Sequence, residues 1–192
     1  MIIVRLQTIV SRQIAPGDIA VVTAGSCRAG TRGNIIPDDA VLELNIRNYS
    51  SVTRQRMLDA VHRIVRAECQ ASGSPTDPEF ETTLSFPVTV NDPAVTQKVA
   101  TAFAAHFGDH ADQIPRQTVS EDFSKIPDAA GVPYTYWGLG YTDPDTYLAA
   151  EKDGHLDDLI SNHSPKFLPP MQPCLRTGTE ALVAAALAWL AP

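Results

Sequence analysis

Cysteine is scarce in this 192-residue chain, and the three present, Cys27, Cys69 and Cys174, are odd in number and far apart. None sits in a C-x-x-C or C-x-H pair, which excludes a disulfide framework and a zinc knuckle and points to a reducing compartment. Long apolar runs are also missing: the longest, residues 181–191, is about half of what a membrane span needs. Arg5 interrupts the partly apolar start and no small-residue cleavage site follows, so this stretch is not a signal peptide. Positive charge is thin. Fifteen Lys and Arg stand against 22 Asp and Glu, a net charge of −7 with no basic stripe, which argues against nucleic acid as a partner. No Ser-His-Asp order, phosphate-cradling loop or dinucleotide fingerprint occurs, and Gly30-x-x-Gly33 is too short to count as one. What remains is a chain 44% hydrophobic, enough for one sizeable core or two small ones. The expected setting is soluble and cytoplasmic.

Ile2, Ile3, Leu6, Ile9 and Val10 recur at helical spacing, with Arg5, Gln7, Thr8 and Arg12 on the other side. This helix has no capping residue in front of it. Pro16-Gly17-Asp18 makes a turn, residues 19–23 form a short apolar strand, and a Gly-, Ser- and Arg-containing loop is expected over 25–34. Residues 41–48 alternate cleanly, Leu42, Leu44 and Ile46 against Glu43, Asn45 and Arg47. A second helix follows Ser50, with Met57, Leu58, Val61, Ile64 and Val65 as its stripe, and stops at 73–78. Phe80, Thr82, Leu84 and Phe86 alternate as a further strand. The order is helix, strand, strand, helix, strand. One leading strand would complete the βαββαβ unit of a ferredoxin-like sandwich. Both the uncapped helix and the incomplete unit predict that the natural chain extends upstream.

A second region begins near Val90. Asp92-Pro93 caps a helix whose stripe is Val95, Val99, Ala102 and Phe103. Residues 109–172 are expected to be mostly loop, with residues 132–139 the best strand. Thr177-x-x-Glu180 forms a capping box before a nearly all-apolar helix to Ala191, which is expected to be buried.

Local chemistry alone is ambiguous. His106 and His110 have a spacing that suits two ligands on one helix face, but Gly108 lies between them. His62, among arginines, and His155, in a polar loop, are expected to be structural or solvated. His163 stands in Ser161-Asn162-His163-Ser164-Pro165-Lys166-Phe167, where a lone loop histidine is as readily exposed or structural as a ligand. Ser120-Glu121-Asp122-Phe123 can cap a helix or stand behind a metal.

Three stretches taken together are more telling. Gly30-Thr31-Arg32-Gly33-Asn34-Ile35-Ile36-Pro37-Asp38, Ser120-Glu121-Asp122-Phe123 and His163-Ser164-Pro165-Lys166-Phe167 occur in an order and spacing that resembles the aminoacylase, hippurate hydrolase and auxin-conjugate amidohydrolase family of metallopeptidases. Leu6-Gln7-Thr8-Ile9-Val10-Ser11-Arg12 is similar to that family's lid helix. The resemblance implies an α/β enzyme with an inserted α+β lid. Here residues 1–88 would be an incomplete lid and dimerisation domain, and residues 89–192 the C-terminal segment of the catalytic domain. It implies hydrolysis of N-acyl amino acids or related amides by metal-activated water, two divalent ions per complete site (Zn, Mn, Co or Ni), and a homodimer formed through the lid. By the same resemblance His163 is a metal ligand, Asn34, Arg47 and Gly138 hold substrate, and Glu121 and Asp122 lie behind the ligands. The family's Cys-x-His pair, adjacent glutamates and lid-entry histidine have no counterpart in this sequence. The expectation is therefore a chain inactive by itself, with a non-catalytic dimerisation or ligand-binding module as the alternative. A small metalloprotein built on His106, His110 and His163 is a third possibility.

Overall fold

The computed structural model describes residues 1–190. The final two residues, including Ala191 at the end of the expected last helix, lie outside the described residues. The chain divides into two units, residues 1–88 with 118–121, and residues 89–117 with 122–192.

The first unit opens with α1 (Ile2–Leu6) and α2 (Thr8–Gln13), which meet at Gln7 in a backbone still right-handed helical. β1 (Ala20–Ala29) and β2 (Ala40–Asn48) form an antiparallel hairpin, and α3 (Ser51–Ala71) follows. Ser50 starts α3, its Oγ accepting from Thr53 N at 3.3 Å, and Gly73 ends the turn beyond it at φ +70°, a conformation that suits a residue without Cβ. β1 runs six residues further than the apolar run predicts, because pairing with β2 carries the Gly- and Ser-containing stretch into the ladder. Gly25 is the extra residue of a bulge, since the register passes from Ala24 opposite Leu44 to Ser26 opposite Glu43. The alternation of β2 turns Leu44 and Ile46 towards a core built from Leu6, Ile9, Val22, Met57, Val61 and Ile64. Leu6, Ile9 and Met57 are fully buried.

The expected strand at Phe80–Phe86 does not form; the backbone there pairs with nothing in a ladder. In a βαββαβ sandwich the last strand lies beside the first, and no described segment supplies that neighbour. Side chains hold the stretch instead. Phe80 stacks on His62 at 4.2 Å between ring centroids and lies 5.2 Å from the Arg66 guanidinium.

In the second unit Asp92 caps α4 (Pro93–Phe107), its Oδ1 accepting from Ala94 N and Val95 N at 2.9 Å each. Gly108, at φ +57°, ends that helix and a short 3-10 turn carries His110. α5 (Lys125–Ala130), α6 (Pro144–Asp153) and α7 (Met171–Leu190) complete the unit. Residues 132–139 carry no regular secondary structure and belong to no sheet among the described residues, correcting the expected strand. Two bonds between the Asn91 amide and the backbone of Tyr136, at 2.7 and 2.8 Å, stand in for a strand partner, and Asp92 N donates to Tyr134 O at 2.8 Å.

The final helix departs from expectation twice. Its only non-helical residue is Gln172, so regular helix starts at Pro173, a residue suited to a first turn. Thr177 is therefore internal, and no capping box forms there. Nor is the helix buried: Ala181 and Ala185 are covered, whereas Leu182, Leu187, Trp189 and Leu190 are more than half exposed. Apolar sequence on every side predicts burial only where other elements exist to cover each side. Two folded domains of half this chain's mass would together expose about 10,700 Å², and the chain exposes 14,764 Å². In the second unit the buried apolar residues among the described ones are Val99, Pro127, Ala181 and Ala185.

α4 and α7 run antiparallel. Lys98 Nζ lies 4.0 Å from the Trp189 ring centroid, while towards the other end Glu180 accepts from Arg176 at 2.8 Å and meets His106 Nε2 at 3.3 Å. The Arg176 guanidinium, and after it His106, holds the Glu180 carboxyl below the usual glutamate value of 4.5. A carboxyl more acidic when folded than when unfolded contributes its full stability above the unfolded value and loses it as pH falls through the folded one. Helicity measured by circular dichroism is therefore expected to show an acid step below pH 4.5 that Glu180→Gln removes. The step is small, because the pair is solvent-exposed.

Candidate functional site

The motif around His163 folds as two consecutive turns. Ser161 O accepts from His163 N at 3.2 Å and from Ser164 N at 3.1 Å, and Ser164 in turn takes Phe167 N at 3.0 Å and, through Oγ, Lys166 N at 3.2 Å. Phe167 packs edge-on against Tyr141, 5.0 Å between centroids. Turns fix one end of the loop and an aromatic contact the other, and His163 is left exposed, its ring without a hydrogen-bond or stacking partner among the described residues. Such an imidazole is available as a donor to a metal. Among the described residues, however, no three His, Cys, Asp or Glu side chains come together to hold an ion.

That overturns the small-metalloprotein reading. His106 is engaged by Glu180, and His110 lies past the Gly108 break, off the helix face that the spacing requires. His155 pairs locally with Asp158 at 3.0 Å, and His62 stacks on Phe80.

Asn34 sits exposed in the loop joining β1 and β2, where Ile35 N turns back to Arg32 O at 3.3 Å. Gly30 opens that loop at φ +66°, where a Cβ would meet the Pro37 ring at 3.4 Å. Arg47 lies at the other end of the hairpin, opposite Val21, about 23 Å of strand from Ala40. Its guanidinium donates from Nε to Asn45 Oδ1 at 3.1 Å and from Nη1 to Thr118 O at 2.6 Å. Thr118 belongs to the short segment that clusters with the first unit and ends at Glu121. This contact spans 71 residues of sequence and has no local signal that could have announced it.

Glu121 is half-buried; Asp122 is exposed, and its carbonyl accepts from Lys125 N at 3.0 Å just before α5. Ser120 caps nothing, since α5 begins only at Lys125. Phe123 packs against Tyr134 and Tyr136 at 5.7 and 5.2 Å. Ser124 is fully buried and its Oγ has no hydrogen-bond partner among the described residues. A hydroxyl taken out of water without a partner costs about 1–3 kcal/mol. Ser124→Ala is therefore expected to leave the melting temperature unchanged or raise it, and a fall of several degrees would reveal a partner. Gly138 lies in no turn, and a Cβ there would meet Ile114 Cδ1 at 3.4 Å.

Two solved structures share the fold. A candidate aminohydrolase from methicillin resistant Staphylococcus aureus superposes with a TM-score of 0.69 at 24% identity, covering 98% of this chain and 45% of that one. A Bacillus subtilis protein described as a dinuclear metal binding peptidase of the M20 family gives 0.57 at 23%, covering 99% and 46%. No family model matches the chain. Among curated proteins it is 32% identical over 161 residues to thermostable carboxypeptidase 1 of Saccharolobus solfataricus, 83% of this chain and 37% of that protein. It is 30% identical over 125 residues to the hippurate hydrolase of Campylobacter jejuni, 64% of this chain and 32% of that enzyme. The chain belongs to the M20 family of amidohydrolases and metallopeptidases. A third M20 relative, the N-acetylcysteine deacetylase of Bacillus subtilis, is 35% identical over 133 residues, covering 66% of this chain and 33% of that protein. The chain thus spans roughly a third of the length of these curated relatives. The M20 family is one of metal-dependent hydrolases, and two of the relatives are named for small amide substrates, hippurate and N-acetylcysteine. Among the described residues no helix is long and apolar enough to cross a membrane.

Proposed function

We propose that this chain is the lid and C-terminal catalytic segment of an M20 amidohydrolase that cleaves N-acyl amino acids or related small amides. Residues 1–88 would be the lid and residues 89–192 the catalytic segment. The observation that carries the reading is His163, an exposed, unpartnered imidazole on a loop pinned at both ends. His163 contributes one ligand to a centre of two divalent ions (Zn, Mn, Co or Ni), which when bound makes water nucleophilic near neutral pH. Glu121 and Asp122 orient ligands from behind. Arg47 grips the substrate's carboxylate, a task for which a guanidinium's forked donors are suited. Asn34 and Gly138 contact the rest of the substrate.

The remaining ligands and the glutamate that acts as general base come from polypeptide other than residues 1–192, so this chain alone is inactive. Because Asn34 and Arg47 lie at opposite ends of the hairpin, a homodimer through the lid, with the two groups supplied by different copies, suits a single small substrate better than one copy does. Three unpaired thiols support a cytoplasmic setting. The large exposed surface also suits the second reading, a non-catalytic module of the same family that works by association.

The test is a chimera in which the N-terminal part of the Campylobacter hippurate hydrolase is joined to this chain at the matched position. Metal-dependent release of glycine from hippurate by the chimera, with none from the chain alone, supports the reading. A folded, metal-loaded chimera without activity on hippurate or N-acetyl amino acids favours the module.

A further inference from the structure

The sheet face that Arg47 occupies is the one turned away from the helices. Leu44 and Ile46 pack into the core, and Glu43, Asn45 and Arg47 alternate to the other side. On that outer face the Arg47 guanidinium is fixed by Asn45 at Nε and reaches Thr118 O with Nη1. Thr118–Glu121 clusters with the first unit although both its neighbours in sequence belong to the second. A charged donor on a main-chain carbonyl is among the stronger hydrogen bonds available to an exposed group. Two of the five guanidinium donors are used in these two bonds, and the side chain remains exposed.

We propose that Arg47 is a positioning residue that anchors the Thr118–Glu121 segment, and with it Glu121, on the outer face of the hairpin, while its remaining donors receive a carboxylate ligand. The second half rests on the substrate reading given above; the anchor itself does not. A guanidinium held by Asn45 and Thr118 is presented in one orientation, so a carboxylate finds it already ordered. By linkage, a bound carboxylate must in turn favour the anchored state of the segment. Arg47 would then connect substrate binding to the placement of Glu121 without touching the reacting atoms.

Trypsin tests this on the chain as it stands, with cleavage of the Arg116–Gln117 bond followed by mass spectrometry and the Lys166–Phe167 bond of the other unit as internal reference. Arg47→Ala is expected to raise the relative rate at Arg116 about tenfold or more, the scale of a lost hydrogen bond to a charged group, with helicity unchanged. Arg47→Lys, whose stem still covers the sheet, is the second variant. It too is expected to raise the rate, because its single nitrogen lacks the fork by which Arg47 reaches Asn45 from Nε and Thr118 from Nη1. Wild-type rates in both variants overturn the anchor. Millimolar hippurate is expected to slow cleavage at Arg116 in the wild type and not in Arg47→Ala, and hippuramide, which lacks the carboxylate, to do nothing. Equal effects of hippurate and hippuramide, or none from either, overturn the coupling. Hydrolysis does not enter these readouts, so an inactive chimera leaves the anchor to be decided separately.

Discussion

In the metal-loaded chimera, His163→Ala is expected to lower kcat/KM by at least a hundredfold and to reduce metal content from two ions towards one. Loss of a group that merely orients a ligand typically costs 10–100-fold in metal affinity or activity, so loss of a ligand sets that range as a floor. Zinc-type catalytic centres hold their ion with about three protein ligands, and none of the other histidines can substitute: His106 is engaged by Glu180 and His155 by Asp158. The fold should not change, because the ring is exposed and the turns are made by the backbone of Ser161 and Ser164. Equal urea midpoints for wild type and variant would confirm that chemistry and not stability was lost. His155→Ala is the control, expected to keep activity within about twofold, since an exposed local pair contributes little. Full activity in His163→Ala would remove the residue on which the functional reading rests.

Met57→Ala is expected to have the largest effect on stability. Met57 is fully buried on α3, in the cluster that joins α1, α2 and the hairpin. Truncating a buried methionine to alanine costs about 2–5 kcal/mol, through lost transfer energy and the cavity left behind. A unit of this size has about 4–13 kcal/mol in total. The variant should lose a large part of the first unit's cooperative urea transition, whereas Met57→Leu, nearly equal in volume, should cost less than about 1.5 kcal/mol. Leu182→Ala, at a position 64% exposed, should change stability little. A Met57→Ala cost below about 1 kcal/mol would mean that the cluster is not the core it resembles.

Elements whose signals are local were legible in the sequence. Ser50 and Asp92 start their helices through side-chain oxygens only two or three residues from the amides they accept. The two-residue alternation of β2 correctly separates Leu44 and Ile46 from Asn45 and Arg47. Elements that depend on a neighbour were not. Phe80–Phe86 and residues 132–139 carry strand-like sequence, yet a strand exists only as one side of a ladder, and no second side is present among the described residues. The capping box at Thr177 lost to Pro173, which begins the helix a turn earlier.

By itself, then, the sequence determined what is written within a few residues: caps, periodicity, the turn-forming loop around His163, and the ordered motifs that mark the M20 family. Only the tertiary structure decided that Arg47 reaches Thr118 across 71 residues, that His106 pairs with Glu180, and that α7 buries one face and leaves the others in water. The reason is physical. Backbone capping and amphipathic spacing are fixed by bonds within a turn or two, whereas long-range hydrogen bonds and burial depend on which distant segments arrive to make them.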